Sequence, residues 1–100
     1  MIARRWHGRV SAEKSDAYLA LTLAHGLKDY RATPGNRGAW CFRRREGDVV
    51  HFETLSYWES EAAIRGFAGA DIRIARYYDF DDDYLLEKEP EVLHFEVHGG

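Results

Sequence analysis

The chain has 100 residues, a length that suits one core, so we expect a single domain over residues 1–100. Lys and Arg total 14 against 17 Asp and Glu, and the net charge of -3 excludes a basic nucleic-acid-binding surface as the default function. A hydrophobic fraction of 45% excludes a disordered chain, and no apolar stretch is long enough to span a membrane.

Two features indicate the compartment. Residues 1–10 carry arginines but lack the apolar run of a signal peptide. The single cysteine, Cys41, has no partner for an intramolecular disulfide or a cysteine-based zinc site, and we expect it to be structural. The sequence therefore predicts a reduced, cytoplasmic, globular domain.

The first third of the chain predicts a strand followed by a long helix. Residues 2–10 alternate as a strand does, with Trp6 on the apolar side. Ser11 is suited to cap a helix, and apolar residues with a helical period extend over 12–32. The helix is expected to end before Pro34.

The rest of the chain predicts a hairpin, a second helix and a final strand. Two β-rich runs, 38–46 and 49–58, flank a short glycine-containing connection, and Ser60 is suited to cap a short helix. Residues 71–86 predict helical turns broken by an acidic loop, and 91–97 predict a strand in which apolar and polar residues alternate. The order βαββαβ predicts a ferredoxin-like α+β fold, in which a four-stranded antiparallel sheet carries both helices on one face.

The sheet face away from the helices bears on the assembly. If every strand turns its apolar side toward the helices, the outer face carries Arg5, His7, Cys41, Arg43, His51, Glu53, His94 and Glu96. Val49, Leu55 and Tyr57 fall on the same face, which is too much apolar surface to leave in water. We therefore expect a homodimer in which the two sheets pack face to face.

The same predicted face contains groups that could bind a metal ion. Three histidines and two carboxylates there have the ligand chemistry of zinc or iron: His7, His51, His94, Glu53 and Glu96. Their spacing matches no local ligand motif, and a polar network with neighbouring arginines would use the same side chains without an ion. We expect the network, and no metal.

Aromatic residues are predicted to line a space between sheet and helices. The candidates are Trp6, Trp40, Trp58, Phe52, Tyr77 and Tyr78. A core role is expected for Trp40 and Phe52. Tyr77 and Tyr78 are adjacent, so only one of them can point inward and offer its hydroxyl to a ligand or a buried partner.

The first helix and the acidic loop supply the remaining candidates. Tyr18 and His25 are seven residues apart on one edge of the apolar stripe, where His25 could act as a general base or could be a helix-surface residue without a role. The acidic run 79–83 is expected to be a solvated loop, since it lacks the ligand spacing of a calcium loop.

Four stretches carry a resemblance to a known family: residues 26–38, 58–69, 75–78 and 93–97. Together they resemble the antibiotic biosynthesis monooxygenase family of dimeric α/β barrels over nearly the whole chain, and Trp58-Glu59-Ser60 is the most familiar element. The resemblance implies a homodimer with a cavity between sheet and helices in each subunit. The family includes cofactor-independent oxygenases of polycyclic aromatics, haem-degrading enzymes and proteins with no known reaction, so the fold does not decide the function.

The resemblance also allows a test for haem chemistry. The haem-degrading relatives use an asparagine in the first strand, a tryptophan matched here by Trp58, and a ligating histidine in the second helical segment. This first strand has no asparagine, and no histidine lies between His51 and His94. The sequence therefore argues against haem degradation by that mechanism, and we expect no cofactor.

The predicted function is that of a cofactor-independent monooxygenase-like protein acting on a hydrophobic aromatic small molecule. The candidate catalytic residues are His25 or His94 as the base, with Tyr78 as a hydrogen-bond donor to the developing anion. The candidate substrate-binding residues are Trp58, which the resemblance places in the cavity, and Tyr77, Trp6 and Tyr18. The alternative is a non-catalytic small-molecule-binding or stress-associated dimer, and the pocket residues alone do not separate the two.

Overall fold

The structure is a computed structural model that describes residues 1–100. The strands and α-helices follow the predicted order: β1 (Ile2–Ser11), α1 (Ser15–Leu21), α2 (Leu27–Ala32), β2 (Asn36–Glu46), β3 (Val49–Trp58), α3 (Glu61–Ala68) and β4 (Leu93–Glu96). A 3-10 turn precedes α1 at Ala12–Lys14, a π-helical turn joins α1 to α2 at Thr22–Gly26, and a second 3-10 turn lies at Asp79–Asp83.

The four strands form one antiparallel sheet in the order β2-β3-β1-β4. Gly47 has a φ of 60° in the two-residue connection between β2 and β3, the left-handed conformation that such a turn requires at its first central position. The predicted ferredoxin-like α+β fold is confirmed.

The helical layer covers one face of the sheet. Ser60 caps α3 as predicted, because its Oγ accepts a hydrogen bond of 3.1 Å from the backbone N–H of Ala63. Ser11 is extended ahead of the first helical turn, but its side chain makes no cap hydrogen bond. None of the helices combines the length and apolar character needed to cross a membrane.

The interior between sheet and helices contains two apolar clusters. One is formed by Trp6, Val10, Tyr18, Val50, Phe52 and Val92, and the other by Leu27, Tyr30, Ala39, Trp58, Ile64 and Phe67. Cys41 packs against both clusters, and burial raises the pKa of its thiol to about 11. A thiol in that environment stays protonated at neutral pH, which supports the structural role predicted for it.

The predicted composition of the outer sheet face is wrong for β4. Register pairs His94 with Arg4 and Glu96 with Ile2, so both side chains turn toward the helical layer. Leu93 and Phe95 therefore occupy the outer face, where each is about half exposed. The prediction failed because apolar residues were assumed to face the helices, whereas pairing with β1 sets the phase of this short edge strand.

The same correction applies to β2. Cys41 lies in the core, and Arg43 reaches the first helix, where its Nη1 donates to Ser15 Oγ at 3.0 Å. Trp40 and Phe42 alternate with them on the outer face and are about half exposed. The core position expected for Trp40 is therefore wrong.

The other residues assigned to the outer face lie there. Register aligns Arg5 with Leu55 and His7 with Glu53 across β1 and β3. Arg5 and Glu53 form a bidentate salt bridge in which both N–O distances are 3.0 Å, and His51 lies beside His7. Because Leu93, Phe95, Trp40 and Phe42 join this face, it is more apolar than the sequence predicted.

Candidate small-molecule cleft

A cleft opens between the sheet and the helical layer. Its walls come from the sheet, the helices, the π turn and the loop after α3. The sheet contributes Trp6 and Thr54, and the helices contribute Tyr18, Tyr30 and Phe67. The π turn contributes Thr22 and Gly26, and the loop contributes Arg76, Tyr78, Phe80 and Asp81. The cleft encloses about 380 Å³ counting its open mouth, but its interior of about 30 Å³ has room for about one water molecule. It is narrower than the large aromatic pocket that the sequence predicted.

The π turn at Thr22–Gly26 widens the helix beside the cleft. A Cβ atom built on Gly26 would meet no atom within 4 Å, so this residue leaves open space in the wall. Thr22 is buried, and its hydroxyl donates to the carbonyl oxygen of Tyr18 at 2.9 Å. Single π turns inside α-helices are frequent at functional sites, which distinguishes this wall from an ordinary helix surface.

A hydrogen bond between Tyr18 and Asp81 closes the inner end of the cleft. The Tyr18 hydroxyl donates to Asp81 Oδ1 at 2.7 Å, and the backbone N–H of Tyr78 donates to Asp81 Oδ2 at the same distance. Burial, and then the Asp81 carboxylate, raise the pKa of Tyr18, so its hydroxyl remains a donor at neutral pH.

Asp81 is a residue that sequence reasoning missed. The prediction of a solvated acidic loop holds for Asp79, Asp82 and Asp83, which are exposed, but it is wrong for Asp81, which is buried. The 3-10 turn directs this one carboxylate inward, where two donors compensate its burial. Because Asp81 is one of four aspartates in a run of five residues, nothing in the sequence distinguished it from its exposed neighbours.

Three rings pack together at the mouth of the cleft. Tyr78 and Phe80 are nearly parallel with centroids 5.4 Å apart, and the His25 ring lies 5.3 Å from that of Phe80. Tyr78 donates to Asp29 Oδ2 at 2.6 Å, and burial, with Asp29, raises the pKa of Tyr78. Of the predicted site residues, Trp6, Tyr18 and Tyr78 therefore form part of the cleft walls, and the exposed His25 packs against Phe80 beside them.

Arg76 contributes the positive charge at the mouth. Its guanidinium lies 4.7 Å from the centroid of Phe67 and 5.3 Å from that of Tyr78, and its Nη2 is 3.6 Å from Asp29. Sequence reasoning did not select this residue, although it lies within the family-like stretch 75–78. Aromatic rings hold the guanidinium in a fixed position from which it can face an anion.

Two of the predicted tryptophan and tyrosine residues lie outside the cleft. Trp58 is fully buried behind Tyr30 and Phe67, and its indole N–H donates to Ser56 Oγ at 2.8 Å. Tyr77 points the other way from Tyr78, as adjacency requires, and its hydroxyl donates to the backbone carbonyl of Glu89. Neither side chain lines the cleft.

His94 is also remote from the cleft. Its Nε2 lies 3.1 Å from Nη1 of the buried Arg4, and because an arginine can only donate, the ring accepts this hydrogen bond. Burial, and then the Arg4 charge, lower the pKa of His94. His25, the other histidine predicted as the base, is exposed and does not line the cleft, but its ring packs against Phe80, which does.

Comparison with solved structures identifies the fold. The chain matches the structure of Rv0793 from Mycobacterium tuberculosis with a TM-score of 0.61 and 13% identity, covering 100% of this chain and 98% of the other. It matches a single-residue variant of MhuD, which has two manganese protoporphyrin IX molecules bound per active site, with a TM-score of 0.59 and 20% identity over 100% of both chains. No protein-family model and no curated protein matches the sequence. The chain therefore has the same fold as these two proteins, which agrees with the fold that the sequence predicted.

Proposed function

We propose that this protein is a monooxygenase-like protein that takes a hydrophobic aromatic small molecule in the cleft and oxidises it without a cofactor. The observation that carries the proposal is the aromatic-walled cleft beside the π turn at Thr22–Gly26. Because the interior holds only about 30 Å³, a ring enters when the Tyr78 and Phe80 rings move aside from the mouth.

The groups at the mouth suit the formation of an aromatic anion. His25 is the candidate base: its exposed imidazole lies outside the cleft walls but against Phe80, so it meets a bound ring once Phe80 has moved aside. The Tyr78 hydroxyl, which donates to Asp29 in the free protein, exchanges that hydrogen bond for one to the substrate oxygen that gains negative charge, and Arg76 supplies a positive charge beside it. Trp6 and Phe67 offer apolar surface to the ring.

The reaction class follows from those groups. A substrate with an acidic CH₂ next to an aromatic ketone loses a proton to the base and becomes an electron-rich enolate, which transfers electrons to O₂. One oxygen atom forms a carbonyl at that carbon in place of two hydrogens, and the other leaves as water. The protein binds the ring, holds the proton and stabilises the anion.

A porphyrin does not fit the residues of this cleft. No histidine is among the side chains that form its walls, and His25, which packs against Phe80 outside those walls, is exposed to solvent. The site therefore differs from that of MhuD, which binds manganese protoporphyrin IX.

The exposed apolar surface of the outer sheet face supports a homodimer as the assembly of this protein. Four large apolar side chains there are about half exposed: Trp40, Phe42, Leu93 and Phe95. They surround the Arg5–Glu53 ion pair, and Leu55 and Tyr57 lie between them. A second copy placed sheet to sheet would bury this surface and pair it with its own equivalent.

Oxygen uptake tests the function. We expect protein-dependent uptake with the hydroxylated anthrones of a panel that also contains naphthols, and a fall of about 100-fold or more in His25→Asn, the effect of losing a general base. His98→Asn, which removes an exposed histidine far from the cleft, is the matched control and should leave the rate unchanged.

Two outcomes would change the assignment. Uptake that survives in His25→Asn would refute the base. Saturable binding of a naphthol without uptake from any member of the panel would show the alternative, a binding protein that uses the same cleft without turnover.

A further inference from the structure

Two histidines on the outer sheet face point their rings at each other. His7 on β1 and His51 on β3 are diagonal neighbours, and His7 Nε2 lies 2.9 Å from His51 Nδ1. The ring centroids are 5.2 Å apart. This pair is separate from the cleft, and its geometry differs from the three-histidine set that the sequence suggested, because His94 lies on the opposite face of the sheet.

A carboxylate holds the outer nitrogen of each ring. His7 Nδ1 contacts Glu89, and His51 Nε2 lies 3.0 Å from Glu46 Oε1. An ionised carboxylate only accepts hydrogen bonds, so each of these outer nitrogens carries a proton and donates it. The tautomer of each ring is therefore set by its carboxylate.

The inner nitrogens are then left without protons. In two neutral imidazoles with these tautomers, a lone pair on His7 Nε2 faces a lone pair on His51 Nδ1 at 2.9 Å. That contact is favourable only when a cation lies between the two nitrogens. The cation is either a proton or a metal ion.

The surroundings match those of a histidine-bound metal ion. Metal-ligating histidines almost always donate their second ring N–H to a carboxylate, a carbonyl or water, and both rings of this pair donate to carboxylates. The charges of Glu46 and Glu89 compensate an added cation. Glu53 does not compete for it, because Arg5 occupies both of its oxygens.

We infer that His7 Nε2 and His51 Nδ1 together bind a divalent transition-metal ion that prefers imidazole, with Zn²⁺ as the foremost candidate. At zinc–nitrogen distances of about 2.0–2.1 Å, two nitrogens at a tetrahedral angle lie about 3.3 Å apart. A small rotation of both rings opens the 2.9 Å contact to that spacing. No third His, Cys, Asp or Glu side chain completes the set, so the remaining positions are open to water or to a group from another molecule.

Calorimetric titration of tag-free, chelator-treated protein with ZnCl₂ tests the site. We expect saturable binding of one ion per chain, no binding of MgCl₂, and loss of affinity by at least tenfold in both His7→Asn and His51→Asn. Glu89→Gln should lower the affinity about 10–100-fold, the usual effect of losing an outer-shell carboxylate. His98→Asn is the matched control, because His98 is an exposed histidine with a single carboxylate neighbour, and its affinity should equal that of the wild type.

X-ray absorption at the zinc edge gives a second, structural measurement. We expect two imidazole nitrogens at about 2.0–2.1 Å. Circular dichroism and thermal unfolding without metal check that each variant is folded, and the oligomeric state is measured with and without zinc because the pair lies on the proposed dimer face. If one histidine variant does not fold, the other and Glu89→Gln carry the test.

Three results would overturn the proposal. One is zinc binding of equal affinity in the wild type and in both His7→Asn and His51→Asn, and another is loss of binding in His98→Asn. The third is the absence of saturable binding up to millimolar zinc, which would show that the pair does not bind a metal ion.

Discussion

The Tyr18 hydroxyl donates a hydrogen bond of 2.7 Å to the buried carboxylate of Asp81. This contact joins α1 to the loop that carries Tyr78 and Phe80, so it fixes one wall of the cleft to the other. A charged acceptor away from water makes the bond stronger than a neutral surface one.

The first prediction concerns this bond. Tyr18→Phe removes one of the two donors to Asp81 while keeping the ring, and we expect it to lower the free energy of unfolding by about 1.5–3 kcal/mol, as for hydrogen bonds to charged groups. Urea-induced unfolding at neutral pH measures the change. Tyr84→Phe is the matched control, since its ring packs 5.5 Å from that of Tyr18 and its hydroxyl has no partner, and a loss of equal size there would contradict the assignment.

The second prediction concerns the pH dependence of stability. Because the folded protein lowers the pKa of His94, the unfolded chain binds a proton at this ring at a higher pH than the native chain does. The contribution of neutral His94 is therefore complete above the ordinary value of 6.5 and is lost as the pH falls below it. Arg4 opposes protonation of the ring and Glu61 favours it, and burial is the larger cause.

Free energies of unfolding measured from pH 7.5 down to pH 5 test this. We expect His94→Gln, which can still accept from Arg4, to lose less stability on acidification than the wild type does. His98→Gln serves as the exposed control and should follow the wild type. Parallel curves for wild type and His94→Gln would refute the linkage.

The order of elements could be predicted from the sequence because each has its own period. Alternation in β1 and β3 and the helical period of 12–32 are local properties, and Ser60 marks the start of α3 by its chemistry. The π turn within 12–32 was not predicted, because a single turn with i→i+5 hydrogen bonds is defined by its backbone and no residue type in this segment marks it.

The faces of β2 and β4 could not be predicted in the same way. Both strands carry large apolar residues at alternate positions that turn away from the helices, such as Phe42 and Phe95. Alternation gives two possible phases, and only pairing with the neighbouring strand selects one. The partnership of Arg4 with His94 depends on that register, so it could not be derived from the sequence.

The third prediction concerns assembly. Phe42→Asp places a charge in the apolar outer face, and we expect it to raise the dissociation constant of the proposed homodimer at least ~30-fold, the loss typical of a strongly contributing apolar contact. Leu86→Asp is the matched control, because Leu86 is equally exposed but lies outside the sheet. Multi-angle light scattering at micromolar concentration measures both. A monomeric wild type at that concentration would exclude the dimer.

The fourth prediction uses the open space at Gly26. Its backbone has a φ of -58°, which alanine adopts without strain, and a new Cβ meets no neighbour, so we expect Gly26→Ala to raise the free energy of unfolding by about 0.4–1 kcal/mol.

Gly26→Leu should fold equally well but fill the cleft, and it should weaken naphthol binding at least tenfold. Ala24→Leu, at an exposed position of the same π turn, adds the same side chain away from the cleft and should bind as the wild type does. Fluorescence titration gives the affinities and urea unfolding the stabilities. Equal binding by Gly26→Leu and the wild type would show that the ligand does not enter the cleft beside the π turn.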